Sequence, residues 1–256
     1  FTGTNVGFSV FGSLGISGSN GSYSLQSSSS GTVTFDSTHL YTGTTTLRGG
    51  SDTKLLLSTL PPSGRNIVVK GGILDLNSQT TDVMNSVTIG GDTQNVAGSD
   101  TGQSASLPNG TIKANTYSFN PGSGIGSSVT DTITAVVADG ASATGIVKTG
   151  YGRTTFVSNN TYSGSTTIAN GYLRISKDEN LGTVPGSTTA NNIILAYPGT
   201  LEISDTFTLN EKRGIQVSRG SSASQVPFIA FTAGAKTLTY NGVIANGSYG
   251  SATSGG

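Results

Sequence analysis

The stretch from Gly145 to Gly182 decides the fold of the chain and reads GIVKTGYGRTTFVSNNTYSGSTTIANGYLRISKDENLG. Read with a period of two, it places pairs of residues on one side of three short strands, because side chains alternate across a pleat. The pairs are Thr154 and Phe156, Thr166 and Ile168, and Leu173 and Ile175. The segments between them are rich in Ser, Asn and Gly, which favour tight turns. The pattern therefore predicts three strands of about four residues joined by tight corners, with no room for a helix.

The same phrase occurs twice in the chain, at residues 31–50 and 152–171. Without a gap, GTVTFDSTHLYTGTTTLRGG and GRTTFVSNNTYSGSTTIANG share nine identical positions. The residues that we expect to carry the repeat are Phe35, Tyr41, Gly43, Thr45 and Gly50 in the first copy and Phe156, Tyr162, Gly164, Thr166 and Gly171 in the second. A supersecondary unit used twice favours a solenoid, in which stacked rungs bury a shared core.

Two aromatic positions recur with the phrase and are expected to be structural. Tyr41 and Tyr162 occupy the same position in the two copies, so we expect each to pack at a rung corner with its hydroxyl reaching a backbone carbonyl. His39, the sole histidine, aligns with Asn160 at the same corner. We therefore predict a turn role for His39 rather than a catalytic or metal-binding one.

A known family shares these residues. The sequence resembles the autotransporter-associated β-strand repeat, the passenger-associated repeat of large bacterial surface proteins, in the strings Lys148-Thr149-Gly150-x-Gly152, Asn160-x-Tyr162-x-Gly164-x-Thr166-Thr167-Ile168 and Gly171-x-Leu173. The resemblance covers residues 31 to about 246 and departs at the first copy, where His39-Leu40 replaces the usual Asn-x. It implies a parallel β-helix carried outside the cell, and it implies no particular activity.

Composition narrows the possible partners and compartments. The 256-residue chain has thirteen acidic and thirteen basic residues and no Cys. Zero net charge and scattered Lys and Arg argue against nucleic acid binding, and no apolar run is long enough for a membrane span. Regularly spaced hydrophobic residues distinguish the chain from a disordered Ser/Gly-rich tail. A first residue of Phe rather than Met indicates a processed product or a piece of a longer protein.

We expect a single all-β domain, a right-handed parallel β-helix. Residues 1–30 are interpreted as an N-terminal strand, cap or assembly segment, and residues 31–246 as the β-helix. Residues 91–110 are expected to form a long corner loop, and residues 247–256 a flexible tail or linker. Rungs of roughly twenty to twenty-five residues predict about ten to twelve rungs and a rod about 50 Å long.

No set of residues has the pattern of an active site. The ten Asp and three Glu are dispersed, and Asp178-Glu179, the only adjacent acidic pair, is expected to be a solvated turn. A single histidine supports neither a His-based metal site nor a Ser-His-Asp triad. We therefore predict a non-catalytic protein with no catalytic, cofactor-binding or metal-binding residues.

The sequence favours a structural role, as a rigid extracellular spacer or filament element on a bacterial surface. The ends of a solenoid are open strand edges, so the expected partner is another copy stacked head to tail, or the flanking repeats of a longer chain. An alternative is a glycan-binding adhesin segment with Tyr172 and Tyr197 as the sugar contacts. A third hypothesis, a polysaccharide-degrading β-helix enzyme, lacks a paired carboxylate.

Overall fold

The chain folds almost wholly into β-strands and corners. The computed structural model describes residues 3–4, 23–27, 31–35, 43–50, 52–91, 103–122, 128–221 and 224–247. Within these residues the one helical segment is a short 3₁₀ turn, Asp178–Leu181. The all-β prediction is confirmed, and the 3₁₀ turn is a four-residue part of the corner after Ile175.

The first large sheet, sheet A, has ten strands. In spatial order they are β1 (Gly3–Thr4), β3 (Gly31–Phe35), β5 (Thr53–Leu57), β7 (Gly72–Asp75), β10 (Ala105–Leu107), β13 (Thr130–Ile133), β16 (Arg153–Phe156), β18 (Tyr172–Ile175), β20 (Thr200–Ile203) and β23 (Phe228–Phe231). Strand β1 is antiparallel to β3, and the other neighbours in this sheet are parallel.

The second large sheet, sheet B, also has ten strands, and all neighbours in it are parallel. In spatial order they are β2 (Tyr23–Ser27), β4 (Thr44–Gly49), β6 (Asn66–Val69), β9 (Ser86–Gly90), β12 (Tyr117–Asn120), β15 (Ile146–Lys148), β17 (Thr166–Ile168), β19 (Thr189–Ala196), β22 (Arg213–Ser218) and β25 (Ile244–Asn246).

The third side of the solenoid is discontinuous. It consists of two small parallel sheets, sheet C with β8 (Thr80–Met84), β11 (Thr111–Ala114) and β14 (Val136–Asp139), and sheet D with β21 (Phe207–Leu209) and β24 (Leu238–Tyr240). Between these sheets, two successive rungs cross the third side without a strand. The second repeat copy provides the first of these rungs.

Successive rungs stack in register although their lengths differ widely. Thr154 pairs with Leu173, 19 residues further on, whereas Ile73 pairs with Ser106, 33 residues further on. Parallel strands joined by long crossings and stacked in this way form a β-solenoid. The fold class predicted from the sequence is confirmed, and the right-handed winding stays a prediction.

The core is a set of aliphatic rows running along the stack. In β16, β17 and β18 the buried residues are the three pairs predicted from the period of two. Strands β3 and β16 both lie in sheet A, and β4 and β17 both lie in sheet B, so the two copies of the repeat occupy equivalent positions in different rungs.

The predicted loop at residues 91–110 is partly wrong. Ala105 and Leu107 are buried in strand β10, which continues sheet A between β7 and β13. The strand is three residues long, and its two apolar residues give too short a pattern to recognise in a Ser- and Gly-rich sequence. Residues 92–102 of the predicted loop, much of the 1–30 segment and the tail from residue 248 lie outside the described residues.

Candidate functional site: the corner of the second repeat copy

The corner after β16 is built on a fully buried tyrosine. Tyr162 has no solvent-exposed surface, and Phe156 and Thr166 beside it are also buried. The Tyr162 hydroxyl lies 2.8 Å from the Thr166 hydroxyl, so its partner is a side chain and not the backbone carbonyl that we expected. Burial raises the pKa of Tyr162 above its ordinary range. Phe156 meets the Phe119 ring edge to face, with centroids 5.1 Å apart.

Asn160 lies where the third side has no strand, and its side chain hydrogen-bonds to the rungs before and after it. The Val137 backbone N–H donates to Asn160 Oδ1 at 2.9 Å, and Asn160 Nδ2 donates to the Asn180 carbonyl at 2.7 Å. Asn160 is nearly fully buried. One side chain therefore links three successive rungs on the third side, in the gap between sheets C and D.

Asn180 makes the equivalent connection one rung later. Its Oδ1 accepts from the backbone N–H groups of Ser176, at 2.9 Å, and Lys177, at 3.2 Å. Its Nδ2 donates to the carbonyls of Val157, at 3.2 Å, and Ser158, at 2.8 Å. Because buried backbone groups need partners, this side chain provides the bonds that a ladder would otherwise supply.

Arg213 fastens the 3₁₀ turn from the following rung. This arginine is completely buried, and its Nε donates to Asp178 Oδ1 at 2.9 Å. Its guanidinium also donates to the carbonyls of Leu181, at 2.9 Å, and Gly182, at 2.6 Å. The prediction that Asp178 is a solvated turn charge is wrong, because its carboxylate pairs with a buried cation 35 residues away in the sequence.

Two glycines of the second copy are required by close packing. Gly171 has φ of +59°, and a Cβ there would lie 2.4 Å from the carbonyl oxygens of Gly150 and Gly152. A Cβ on Gly164 would lie 2.4 Å from the Gly145 nitrogen. In the first copy, a Cβ on Gly50 would come no closer than 3.9 Å to the nearest atom, so glycine is not sterically required there.

The first repeat copy is described only in part. Thr45 is buried in β4, as Thr166 is in β17, and Gly43 is half-buried. Tyr41 and His39, together with the side chain of Phe35, lie outside the described residues. Their predicted roles at the corner stay predictions.

Tyr172 and Tyr197, the two predicted sugar contacts, lie on successive rungs near the N-terminal ends of strands of sheet A. Tyr172 is 40% exposed, and its backbone pairs with Thr200, three residues after the half-buried Tyr197. The Arg153 guanidinium lies 5.3 Å from the centre of the Tyr172 ring. The structure thus brings the Tyr172 ring and the Arg153 cation together where these strands begin.

A charged group spans three strands on the outer face of sheet A. Glu202 Oε2 lies 2.7 Å from Arg153 Nε and 2.6 Å from Arg174 Nε. Partial burial alone would raise the pKa of Glu202, but the bonds from Arg174 and Arg153 hold it below its ordinary value. The carboxylate is fully engaged in these ion pairs, which argues for a structural role.

Polar groups also lie inside the aliphatic core. Asp131 and Thr154 pair on adjacent strands of sheet A, and both are completely buried. Asp131 Oδ1 accepts from the Ala105 N–H at 2.7 Å, whereas Asp131 Oδ2 and Thr154 Oγ1 have no hydrogen-bond partner among the described residues. The buried Lys148 donates to the carbonyls of Thr149, Gly150 and Asn170.

The pKa values of the buried Asp131 and Lys148 side chains are shifted from their ordinary values. Burial raises the pKa of Asp131 to about 7, against the opposing effects of the Ala105 N–H and the Lys148 charge. Burial lowers the pKa of Lys148 to about 7, against the Asp131 charge. Burial therefore favours the neutral form of each side chain.

Asp131 is expected to make the protein less stable as the pH rises from 5 to 6.5. Its pKa is higher in the folded chain than its ordinary 3.8, so its stabilising contribution is complete below pH 3.8 and is lost as the pH rises through 7. The slope corresponds to about 2 kcal/mol of unfolding free energy over this interval. The measurement is urea unfolding at several pH values.

The Asp131→Asn variant isolates this effect, because it should show a flat profile over the same interval. The contribution of Lys148 changes only between about pH 7 and 10.5, and those of Asp75 and Glu202 change at lower pH. An equal slope in the variant and the unmodified chain would show that Asp131 is not the titrating group.

The chemistry available in the described part of the chain is limited. No three His, Cys, Asp or Glu side chains come together there as the ligands of a metal ion would. Nor does any helix among those residues have the length and apolar character needed to cross a membrane. What the corner does is hold rungs together, through Asn160, Asn180 and Arg213.

Comparison with known families singles out the same corner. Residues 146–175 match the family model described as passenger-associated-transport-repeat. The match runs from β15 to β18 and includes Asn160 and Tyr162, so the family resemblance inferred from the sequence is confirmed for this segment. No curated protein and no solved structure matches the chain.

Sequence reasoning found some of these residues and missed others. Tyr162, Thr166 and Gly171 were found because they belong to the repeated phrase. Arg213 was missed because it lies outside the phrase and far from Asp178 in the sequence. Its only signal is its place within the apolar strand pattern of β22, where an arginine needs buried partners.

Proposed function

We propose that the protein is a non-catalytic structural segment of an extracellular passenger, serving as a rigid spacer on a bacterial surface. The observation that carries this proposal is the pair of ten-stranded ladders that run along the stack in register. The match of residues 146–175 to a passenger-type transport repeat supports an extracellular location. Further rungs, from flanking sequence or from another copy, would lengthen such a spacer.

Rigidity follows from how the rungs are connected. Each rung bonds to its neighbours through backbone ladders on at least two sides. Where the third side lacks a strand, the buried side chains of Asn160, Asn180 and Arg213 provide the connection. A rod held on three sides resists bending more than one held on two.

Spin-label distances test the rigid spacer directly. The chain contains no Cys, so labels attach only where cysteines are introduced. Lys54 and Ala230 belong to one outward row of sheet A and lie seven strands apart, which predicts about 34 Å between their backbones at ~4.8 Å per strand. Ser106 and Ala230 lie five strands apart in the same row, which predicts about 24 Å.

We expect narrow distance distributions for both labelled pairs, with centres differing by about 10 Å. The shorter pair is the matched control, because it shares one label and the same row. Broad distributions for both pairs would mean a flexible chain and would contradict a spacer function.

The second candidate function is glycan binding, and the exposed Tyr172 beside Arg153 favours it. An aromatic ring with a neighbouring cation can stack on a sugar and donate hydrogen bonds to it. Glycan-array binding that is lost in the Tyr172→Ala and Tyr197→Ala variants would favour an adhesin. An array without hits, or binding unchanged by both substitutions, would leave the spacer as the better account.

A further inference from the structure

Two polar atoms lie inside the core without a protein partner. Asp131 Oδ2 and Thr154 Oγ1 make no hydrogen bond to any residue that the structure describes. Both side chains are completely buried, so bulk solvent does not reach them. A buried polar atom without a partner costs free energy, and in folded proteins nearly all such atoms bond to protein or to an ordered water. The two atoms therefore mark a site for a small polar molecule.

The two atoms belong to paired positions on neighbouring strands. Asp131 on β13 is opposite Thr154 on β16, and both side chains point into the core. Neighbouring strands lie ~4.8 Å apart. A direct hydrogen bond between two oxygens is about 2.8 Å long, whereas two such bonds through one water span up to about 5.5 Å. The strand spacing therefore suits a bridge made by a single water.

The hydrogen bonds already present at Asp131 favour water over a metal ion. Oδ1 accepts from the Ala105 N–H at 2.7 Å, so one carboxyl oxygen is left to bind a second donor. Cations that prefer oxygen take about six or more ligands. No other buried side-chain nitrogen or oxygen in the described ranges lacks a partner, so a cation would find only two ligands of this kind.

The inward row of sheet A carries little side-chain volume where these atoms lie. Leu173 and Leu201 occupy the row on the two strands after β16, but Ala105 occupies it on the strand before β13. All three residues are buried. Alanine, aspartate and threonine are smaller than leucine, so this part of the row fills less of the core. A water molecule takes about 30 Å³ of liquid volume.

We propose that one internal water molecule binds between Asp131 and Thr154, donating a hydrogen bond to Asp131 Oδ2 and bonding to the Thr154 hydroxyl. Buried waters of this kind are part of a folded structure and are costly to remove. The water connects β13 to β16, the first strand of the second repeat copy. The first copy has Val33 at the position of Thr154, so the site belongs to the second copy alone. This inference goes beyond the spacer role and does not depend on it.

Oxygen-17 relaxation dispersion tests the site, because it counts the water molecules that stay inside a protein far longer than those at its surface. The method detects the water oxygen, so exchanging hydroxyl protons do not contribute. The test variant is Thr154→Val, which keeps the shape of the side chain and removes the hydroxyl. The matched control is Thr155→Val, at the neighbouring residue on the outer face of the same strand. We expect the test variant to lose one long-lived water and the control to lose none.

Urea unfolding of the same two variants gives a readout of opposite sign for the two cases. If the Thr154 hydroxyl had no partner, valine would remove an unpartnered buried group and raise the unfolding midpoint. With a bridging water, the midpoint of Thr154→Val should fall below that of Thr155→Val. A raised midpoint, or an unchanged count of long-lived waters in Thr154→Val, would overturn the proposal.

A high-resolution crystal structure of the unmodified chain provides a test that needs no substitution. We expect density for one water within hydrogen-bonding distance of both Asp131 Oδ2 and Thr154 Oγ1. A direct hydrogen bond between these two side chains, with no water between them, would overturn the proposal.

Discussion

Replacing Arg213 by methionine should lower the free energy of unfolding by about 3–5 kcal/mol, the usual cost of breaking a buried ion pair by removing one partner. Methionine keeps much of the side-chain length but donates nothing. The partly exposed Asp178 carboxylate would then lose its cation and keep only the Asn210 N–H, and the carbonyls of Leu181 and Gly182 would lose their buried donor. Urea unfolding measures the loss as a lower midpoint.

The neighbouring Lys212→Met substitution is the matched control. Lys212 is exposed, and its ammonium donates to the Gly186 carbonyl at the surface. We expect a change within about 0.5 kcal/mol, as for most surface substitutions. If both variants lost the same stability, the network around Arg213 would not be what fastens the 3₁₀ turn.

Asn180→Leu is expected to cost about 1–3 kcal/mol, because a closed-off backbone group left without its partner costs about that much and the three groups here are only partly buried. Leucine fills a similar volume, so lost hydrogen bonds rather than a cavity should dominate. The groups left without the side chain are the N–H of Ser176 and the carbonyls of Val157 and Ser158. The same urea titration measures the change.

Two further variants sharpen this result. Asn180→Asp keeps the shape but replaces the donating Nδ2 with an oxygen that faces the Ser158 carbonyl, so we expect it to be at least as destabilising as leucine. Asn85→Leu, at an exposed asparagine, should change stability little. A stable Asn180→Asp protein would show that the third side does not depend on these hydrogen bonds.

The repeat made the fold predictable from the sequence. Within residues 152–171 the pairs at alternate positions, Thr154/Phe156 and Thr166/Ile168, are buried as predicted. A period of two is a local property, so it can be recognised without knowing what packs against the strand. Strand β10 escaped recognition because three residues are too few to show a period.

The connections of the third side could not be predicted in the same way. Asn160, Asn180 and Arg213 act on residues 20 to 35 positions away, a separation that depends on the lengths of the intervening corners. Asparagine in a Ser- and Gly-rich segment is typical of a turn, and that reading is correct for the backbone. It does not reveal that the side chain bonds to neighbouring rungs.

The unequal lengths of the rungs have a consequence for how the sequence between strands can vary. One pairing step along sheet A spans 19 residues of sequence and another spans 33, yet each adds the same single strand to the ladder. The 14 additional residues of the longer step therefore add nothing to the number of strands along the stack. Insertions between strands can therefore change the length of a rung while the number of strands along the stack stays the same.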